Sequence, residues 1–147
     1  MQKYIYISIG GALGAVLRLL IGNAHIGNYN GNFPLNTLII NIVGTFILAL
    51  FLTVAYEIME IDADLRLGVS TGFLGAFTTF STLCKEAASL MAGGEYFSAI
   101  AYITLSAILG LAAAYLGMIL ARETVVKLMK ENRESQIGTI DEKEGEA

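Results

Sequence analysis

The sequence predicts an all-α membrane protein, a bundle of four transmembrane helices with a break in helix 3. Composition is the first reason: 55% of the 147 residues are hydrophobic and 15% are charged, whereas a soluble domain carries about 25% charged residues. Four long apolar segments are the second reason. The third reason is a cluster of hydroxyl side chains inside the third segment, at 78–82.

Four segments satisfy the length requirement for crossing a bilayer, which is about 20 mostly apolar residues. They cover residues 4–23, 35–56, 67–91 and 96–121. The connections are short, at 22–34, 57–66 and 92–95. Helices joined by short loops lie antiparallel to their chain neighbours, so we expect an up-down bundle with both termini on one side of the membrane.

The chain becomes charged after the fourth span. We therefore predict a four-helix transmembrane domain at 1–122 and a charged, partly disordered C-terminal tail at 123–147. Within this tail, residues 124–134 are predicted to extend the last helix beyond the lipid. Residues 135–147 are predicted to be disordered because they include too few apolar side chains to form a core.

Small residues recur four positions apart in three of the spans. The pairs are Gly10 and Gly14, Gly68 and Gly72, and Gly110 and Ala114. This spacing places both small residues on one helix face, where they let a neighbouring membrane helix approach closely. The sequence therefore predicts tight helix packing within the bundle.

Polar stripes run along one face of the second and fourth spans. Thr37, Asn41 and Thr45 follow at i, i+4 and i+8, and the fourth span carries Tyr102, Ser106 and Gly110. Such stripes must face protein or water, because lipid cannot satisfy their hydrogen bonds. For the threonines alone, hydrogen bonds between helices are the preferred explanation. Asn41 is the stronger candidate for function, because an unpaired amide near mid-membrane is costly.

The stretch at 72–84 predicts that the third span is interrupted. It contains two glycines, then Thr78, Thr79, Ser81 and Thr82. Glycine and threonine are poor helix formers, and a helix facing lipid has no use for four hydroxyls. We therefore expect a break near residues 75–78 that presents backbone and hydroxyl groups to something small and charged.

The groups in these stretches suit a small anion through their side chains and a cation through the backbone. Hydroxyls and an amide NH₂ are donors, and the edge of a phenyl ring is positive, so Phe80 can face an anion. Several weak donors without a fixed charge bind the ion loosely enough for it to leave, which favours conduction. Carbonyls released at a helix break inside a membrane coordinate cations.

Few ionisable residues lie inside the spans. Arg18 has three open interpretations: it snorkels to the interface, pairs with a polar loop, or lines a vestibule. Glu86, beside Lys85, is the one residue able to couple transport to protons in a secondary transporter. The sequence contains no catalytic set, metal-ligand cluster or phosphate loop, so we expect no enzyme.

Three motifs together resemble the Fluc (CrcB) family of fluoride channels. They are GGALGAVLR at 10–18, LIINIVG at 38–44 and GFLGAFTTFST at 72–82. The resemblance covers all four spans. It implies an antiparallel dimer with two fluoride pores and a structural sodium ion at its centre, so that 1–122 is a channel domain.

The resemblance also implies roles for individual residues. The backbone carbonyls of Gly75 and Thr78, from both subunits, would hold the sodium ion. The fluoride pathway would be formed by Asn41 as amide donor, Phe80 through its ring edge, and the polar steps Ser81, Thr82, Tyr102 and Ser106. Arg18 would lie near the pore vestibule.

Two positions depart from the family pattern. A second phenylalanine usually follows three residues after Phe80, and here that position is Leu83. The fourth-helix stripe often ends in serine, and here that position is Gly110, so a hydrogen bond to Asn41 is expected to be lost.

The charge distribution predicts one orientation in the membrane. The terminal side of the bundle carries Lys3, Arg66, Arg122, Lys127, Lys130 and Arg133, and the opposite loops carry no Lys or Arg. By the positive-inside rule the termini are cytoplasmic. A homodimer of opposed subunits requires weak bias, so a heterodimer with a differently oriented homologue stays open beside the antiparallel homodimer.

The resulting expectation is a fluoride-selective passive channel in the plasma (inner) membrane that exports fluoride to relieve its toxicity. Fluoride ion, membrane lipid and a second subunit are the expected partners, with no nucleic acid. Two alternatives stay open: a subunit that conducts only beside a different homologue, and a four-helix secondary transporter that uses Glu86.

Overall fold

The computed structural model describes residues 1–23, 33–57 and 61–145. Helix α1 covers Gln2–Gly22 and α2 covers Leu35–Glu57. The third span consists of α3 (Ala63–Leu67), a π-helical segment (Gly68–Leu74), α4 (Gly75–Phe77) and α5 (Phe80–Ala92). The last helix, α6, covers Tyr96–Gly145.

The predicted fold class is confirmed. Within the three described ranges there is no β-strand, and four helical stretches are long and apolar enough to cross a membrane. Among them α1 is the least covered, with 6% of its most apolar window buried inside the chain. Its large apolar side chains, among them Ile9 and Leu13, are exposed. An apolar surface of this kind requires lipid or a second subunit around it, so the chain is a multi-pass membrane protein.

The predicted break in the third span lies at two threonines. Thr78 (φ −76°, ψ 155°) and Thr79 (φ −149°, ψ 118°) both have extended backbones. The helix resumes at Phe80, and the two halves of the span are therefore separate helices inside the membrane.

A π-helical segment precedes the break, and the sequence does not predict it. Within it the N–H of Gly75 donates to the carbonyl of Ser70, five residues earlier. The hydroxyl of Ser70 in turn donates to the carbonyl of Arg66 at 2.7 Å. A hydroxyl bonded four residues back competes with the helical ladder, and π-helical turns occur frequently at functional sites. The distortion of this span thus begins two turns before the break.

Helix α6 continues beyond the predicted membrane span. Its backbone is helical through Gly145, whereas the sequence predicts a partly disordered tail at 123–147. The stretch from residue 124 onward lacks proline and contains five Glu and three Lys, which are good helix formers. The division into a channel domain at 1–122 and a tail stays a prediction.

Glycines bring α1 against the third span, as predicted. A Cβ on Gly10 would overlap the carbonyl oxygen of Gly68, and Gly14 meets the backbone of the same span in the same way. In return, a Cβ on Gly72 would lie 2.7 Å from the carbonyl oxygen of Ile7. The two pairs of small residues therefore let the two backbones touch.

The small pair predicted on α6, Gly110 and Ala114, does not include the closest helix contact. Nothing lies within 4 Å of a Cβ built on Gly110, so this glycine makes no close approach inside the chain. A different glycine provides the contact with α2: a Cβ on Gly117 would lie 2.6 Å from the carbonyl oxygen of Phe46. Close packing of α2 and α6 thus occurs two turns further along than the sequence indicates.

The core between α2, α5 and α6 is formed around Tyr102, which is fully buried. Phe33 packs edge-on against its ring, with centroids 5.5 Å apart. Other members of this core are Leu38, Ala87, Leu90 and Ala99. Leu83 packs against the same cluster, so the residue that departs from the family pattern has a packing role here.

The basic residues Arg66 and Arg122 lie at one end of the bundle, the end that also holds the N-terminus of α1. The guanidinium of Arg122 donates two hydrogen bonds to the carboxylate of Glu57, at 2.7 and 3.0 Å. That of Arg66 lies over the ring of Tyr56, 4.1 Å from its centroid. Both contacts are with the last turn of α2, which agrees with the predicted basic side.

We expect Gly10→Ala to destabilise the bundle by about 2 kcal/mol, because the added methyl group forces α1 and the third span apart. Gly11→Ala is the matched control, since its Cβ would lie 3.9 Å from the carbonyl oxygen of Gly72, an ordinary contact. The free energy of unfolding, measured by denaturing-detergent titration in mixed micelles, checks this. Equal stability of the two variants would contradict the glycine contact.

Candidate functional site

The break in the third span is held by the side chain of Asn41 on α2. The amide Nδ2 of Asn41 donates to the carbonyl oxygen of Thr79 at 3.0 Å. The N–H of Thr79 donates back to Asn41 Oδ1 at 2.8 Å. One side-chain amide thereby satisfies both backbone groups of a buried, non-helical residue, which in lipid would have no other partner.

Thr79 also starts the second half of the span. Its hydroxyl oxygen accepts from the N–H of Thr82 at 3.2 Å and so caps α5. The same hydroxyl lies 2.9 Å from that of Thr82 and 3.3 Å from that of Ser81. Three hydroxyls therefore meet at the N-terminus of α5, where the helix dipole favours negative charge.

The break releases the two carbonyls that were predicted to bind sodium. In a continuous helix the N–H of Thr79 would donate to the carbonyl of Gly75, but it donates to Asn41 instead. The N–H of Thr82 would donate to the carbonyl of Thr78, but it donates to the side chain of Thr79. Gly75 is exposed and Thr78 half-buried, so both carbonyls lie at a face that this chain does not cover completely.

A small residue on α2 brings the break close to Asn41. A Cβ on Gly44 would overlap the methyl group of Thr78 and lie 3.0 Å from the ring of Phe77. Phe77 is buried and stacks parallel to Phe73, with centroids 6.3 Å apart. Phe77 is therefore held inside the chain, whereas Phe80 is exposed.

Phe80 is highly exposed, with 78% of its surface accessible. It lines an open cavity of about 200 Å³ together with four other residues, Asn41, Thr45, Thr78 and Thr79. None of the five is charged. The cavity therefore offers an amide, hydroxyls and a ring edge without a fixed charge.

A second cluster of polar side chains surrounds Glu86 of α5. Thr37 donates its hydroxyl to Oε1 of Glu86, and Tyr102 donates its hydroxyl to Oε2, both at 2.8 Å. Glu86 also lines an open cavity of about 310 Å³. The hydroxyl hydrogen of Tyr102 is therefore used by a carboxylate, and its predicted role as a polar step stays a prediction.

Two further predicted residues have few partners. The hydroxyl oxygen of Ser106 is buried and has no hydrogen-bond partner among the described residues. It lies one turn after Tyr102 on α6, on the predicted polar stripe. Arg18 is half-buried on α1, one turn after Gly14, and no ion pair within residues 1–23, 33–57 and 61–145 includes it.

The structure thus gathers most of the predicted residues at the break: Asn41, Gly75, Thr78, Phe80, Ser81 and Thr82. Sequence reasoning missed the role of Thr79, although threonine is a preferred residue at the position directly before a helix. It also did not pair Thr37 with Glu86. No local signal predicts that contact, because the two residues are 49 positions apart.

The described residues contain no group of three or more His, Cys, Asp or Glu able to hold a metal ion. The oxygen atoms present at the break are backbone carbonyls, hydroxyl groups and the amide of Asn41. Carbonyl oxygens are hard ligands suited to alkali and alkaline-earth ions.

Comparison with known proteins identifies the family of this chain. Residues 5–118 match the family described as CrcB-like protein, Camphor Resistance (CrcB). A Sulfurihydrogenibium protein named fluoride-specific ion channel FluC is 38% identical over 122 residues, which are 83% of this chain and 98% of that protein. A protein of the same name from Thermus thermophilus is 39% identical over 117 residues, 80% of this chain and 93% of that protein.

A third relative, from Thermosipho melanesiensis, has the same name and is 40% identical over 122 residues, 82% of this chain and 97% of its own length. The family match covers all four spans and includes the break and Asn41. These relatives are named as ion channels, which agrees with the prediction that the chain is not an enzyme. The chain belongs to the CrcB family.

Proposed function

We propose that this chain forms a fluoride-selective passive channel that exports fluoride across the plasma membrane and so relieves fluoride toxicity. The observation that carries the proposal is the uncharged cavity at the break, where Asn41, Thr79 and Phe80 meet. The names of the relatives supply the ion, since each is called a fluoride-specific ion channel.

Donors for a small anion are available along this path. The amide of Asn41 carries two hydrogens, and one of them is used by the carbonyl of Thr79. The second is free to bond fluoride. The unpartnered hydroxyl of Ser106 and the exposed ring edge of Phe80 add two further positive dipoles.

The absence of charge among the five residues that line this cavity favours conduction. Fluoride has a large hydration energy, which several converging donors replace. A fixed positive charge would bind the ion tightly and slow its release, whereas dipoles bind it weakly at several sites. Passive flow down the electrochemical gradient needs no titratable coupling residue.

The residues of the break fit a structural sodium ion. The carbonyls of Gly75 and Thr78 are released from the helical ladder because their usual donors bond to side chains. We propose that these carbonyls bind sodium and that the bound ion holds the break in place by neutralising its backbone dipoles.

An antiparallel dimer would complete this site. Gly75 and Phe80 are exposed on the single chain, and a second subunit related by a twofold axis would bring two copies of each together. Lipid would cover the remaining apolar faces. The basic end that holds Arg66 and Arg122 would face the cytoplasm.

The first test uses the purified chain alone in liposomes loaded with fluoride. We expect fluoride efflux, without chloride efflux, that requires an ionophore to balance charge, because a channel moves the bare ion. An imposed proton gradient should not drive it. A fluoride electrode measures the efflux. Efflux that appears only after a differently oriented homologue is added would favour the heterodimer.

The same assay separates the channel from a secondary transporter. Glu86 is held by two hydroxyl groups, and a coupling role predicts that Glu86→Gln abolishes proton-driven transport. The channel proposal predicts continued, proton-independent efflux in Glu86→Gln. Loss of proton-driven fluoride uptake in this variant, with uptake present in the wild type, would favour the transporter.

We expect Phe80→Ile to lower fluoride efflux by about tenfold, because isoleucine has no positive edge to face the ion. Phe97→Ile is the matched control, since Phe97 is also highly exposed, at 87%, but lies in the first turn of α6, away from the break. The initial rate of fluoride efflux from liposomes, measured at equal protein density, checks both variants. Equal efflux from the two variants would remove Phe80 from the pathway.

A further inference from the structure

We propose that Asn41 is a positioning residue for the cation site, which it creates by taking the N–H of Thr79 away from the carbonyl of Gly75. This inference rests on the proposed function, because it assigns Asn41 a second task beside that of a fluoride donor. One amide then connects the anion path with the sodium site.

The geometry at Thr79 carries the first step. Its N–H and carbonyl both bond to the amide of Asn41, at 2.8 and 3.0 Å, and the residue is 8% exposed. Without the amide, two buried backbone groups would lose their partner. A buried unpaired N–H is costly, so the chain would rearrange to pair it again.

In a continuous helix the acceptor for that N–H would be the carbonyl of Gly75. The residues on both sides of the break, through Phe77 and from Phe80 onward, are already helical. Rotating Thr78 and Thr79 into helical angles would continue the ladder and restore the bond from Thr79 to Gly75. The carbonyl of Gly75 would then accept this hydrogen bond, and it would be a poorer cation ligand.

The two released carbonyls depend on different side chains. The carbonyl of Thr78 loses its helical donor to the hydroxyl of Thr79, a cap that belongs to the third span itself. The carbonyl of Gly75 loses its donor to Asn41, on another helix. The packing of α2 therefore controls one ligand of the proposed site. Gly44, one turn after Asn41, permits this packing because a Cβ there would overlap Thr78.

Sodium-dependent thermal stability in fluoride-free buffer tests this positioning role. We expect Asn41→Ala to raise the sodium concentration that gives half-maximal stabilisation by at least about tenfold, the effect of one hydrogen bond on a charged site. Ser106→Ala is the control. Its hydroxyl lies in the proposed anion path and makes no hydrogen bond with described residues, so it should lower efflux and leave the sodium midpoint unchanged.

Hydrogen exchange supplies a readout independent of transport. The amide of Thr79 should exchange slowly in the wild type in sodium. In sodium-free Asn41→Ala it should still exchange slowly, because its N–H then donates to the carbonyl of Gly75. Fast exchange there would show that this carbonyl stays released and would contradict the inference. A wild-type sodium midpoint in Asn41→Ala, together with lost fluoride efflux, would overturn the inference and leave Asn41 as a fluoride donor only.

A second variant keeps the test decisive where Asn41→Ala does not fold. In Asn41→Asp the carboxylate still accepts the N–H of Thr79, so the Gly75 carbonyl stays released, and the sodium midpoint should be no higher than in the wild type. A higher midpoint contradicts the inference. A wild-type protein that conducts fluoride but gains no stability from sodium overturns both the sodium site and its dependence on Asn41, while the channel proposal stands.

Discussion

The structure depends on one constraint, which is that backbone polar groups inside a membrane must find hydrogen-bond partners within the protein. A helix satisfies them automatically, and a break does not. The extended residues Thr78 and Thr79 are tolerated because the side chain of Asn41 bonds both backbone groups of Thr79 and because the hydroxyl of Thr79 caps α5. The break is therefore stabilised by side chains from both α2 and the third span. It leaves the carbonyls of Gly75 and Thr78 without their helical donors.

Packing determines where this break can lie. Gly10 and Gly14 let α1 touch the backbone of the third span, and Gly44 lets α2 approach Thr78. Larger side chains at these positions would hold the helices apart and move Asn41 out of reach of Thr79. In a membrane, association of this kind relies on close backbone contact, since burial of apolar surface gives little net gain against lipid. The glycines are therefore part of the site, although none of these three offers a group to an ion.

The structure contains two polar clusters, and they differ in charge. The cavity at the break has no charged residue in its lining, whereas the carboxylate of Glu86 receives two hydroxyl bonds in the neighbouring group. A site made of dipoles binds an anion weakly and reversibly, and a carboxylate repels it. This contrast supports the proposal that the ion contacts the break. The hydroxyl bonds to Glu86 connect α2, α5 and α6.

The sequence by itself determined the four spans, the break near residues 75–78 and the residue types around it, because hydropathy and helix propensity are local properties. It also placed Asn41, Phe80 and the threonines as candidates. Only the tertiary structure decided which partner each one takes. The bond from Asn41 to Thr79 joins residues 38 positions apart, and whether a glycine is a contact, like Gly117, or open, like Gly110, depends on how α6 packs. Pairings of this kind follow from helix rotation and distance, which one chain segment does not encode alone.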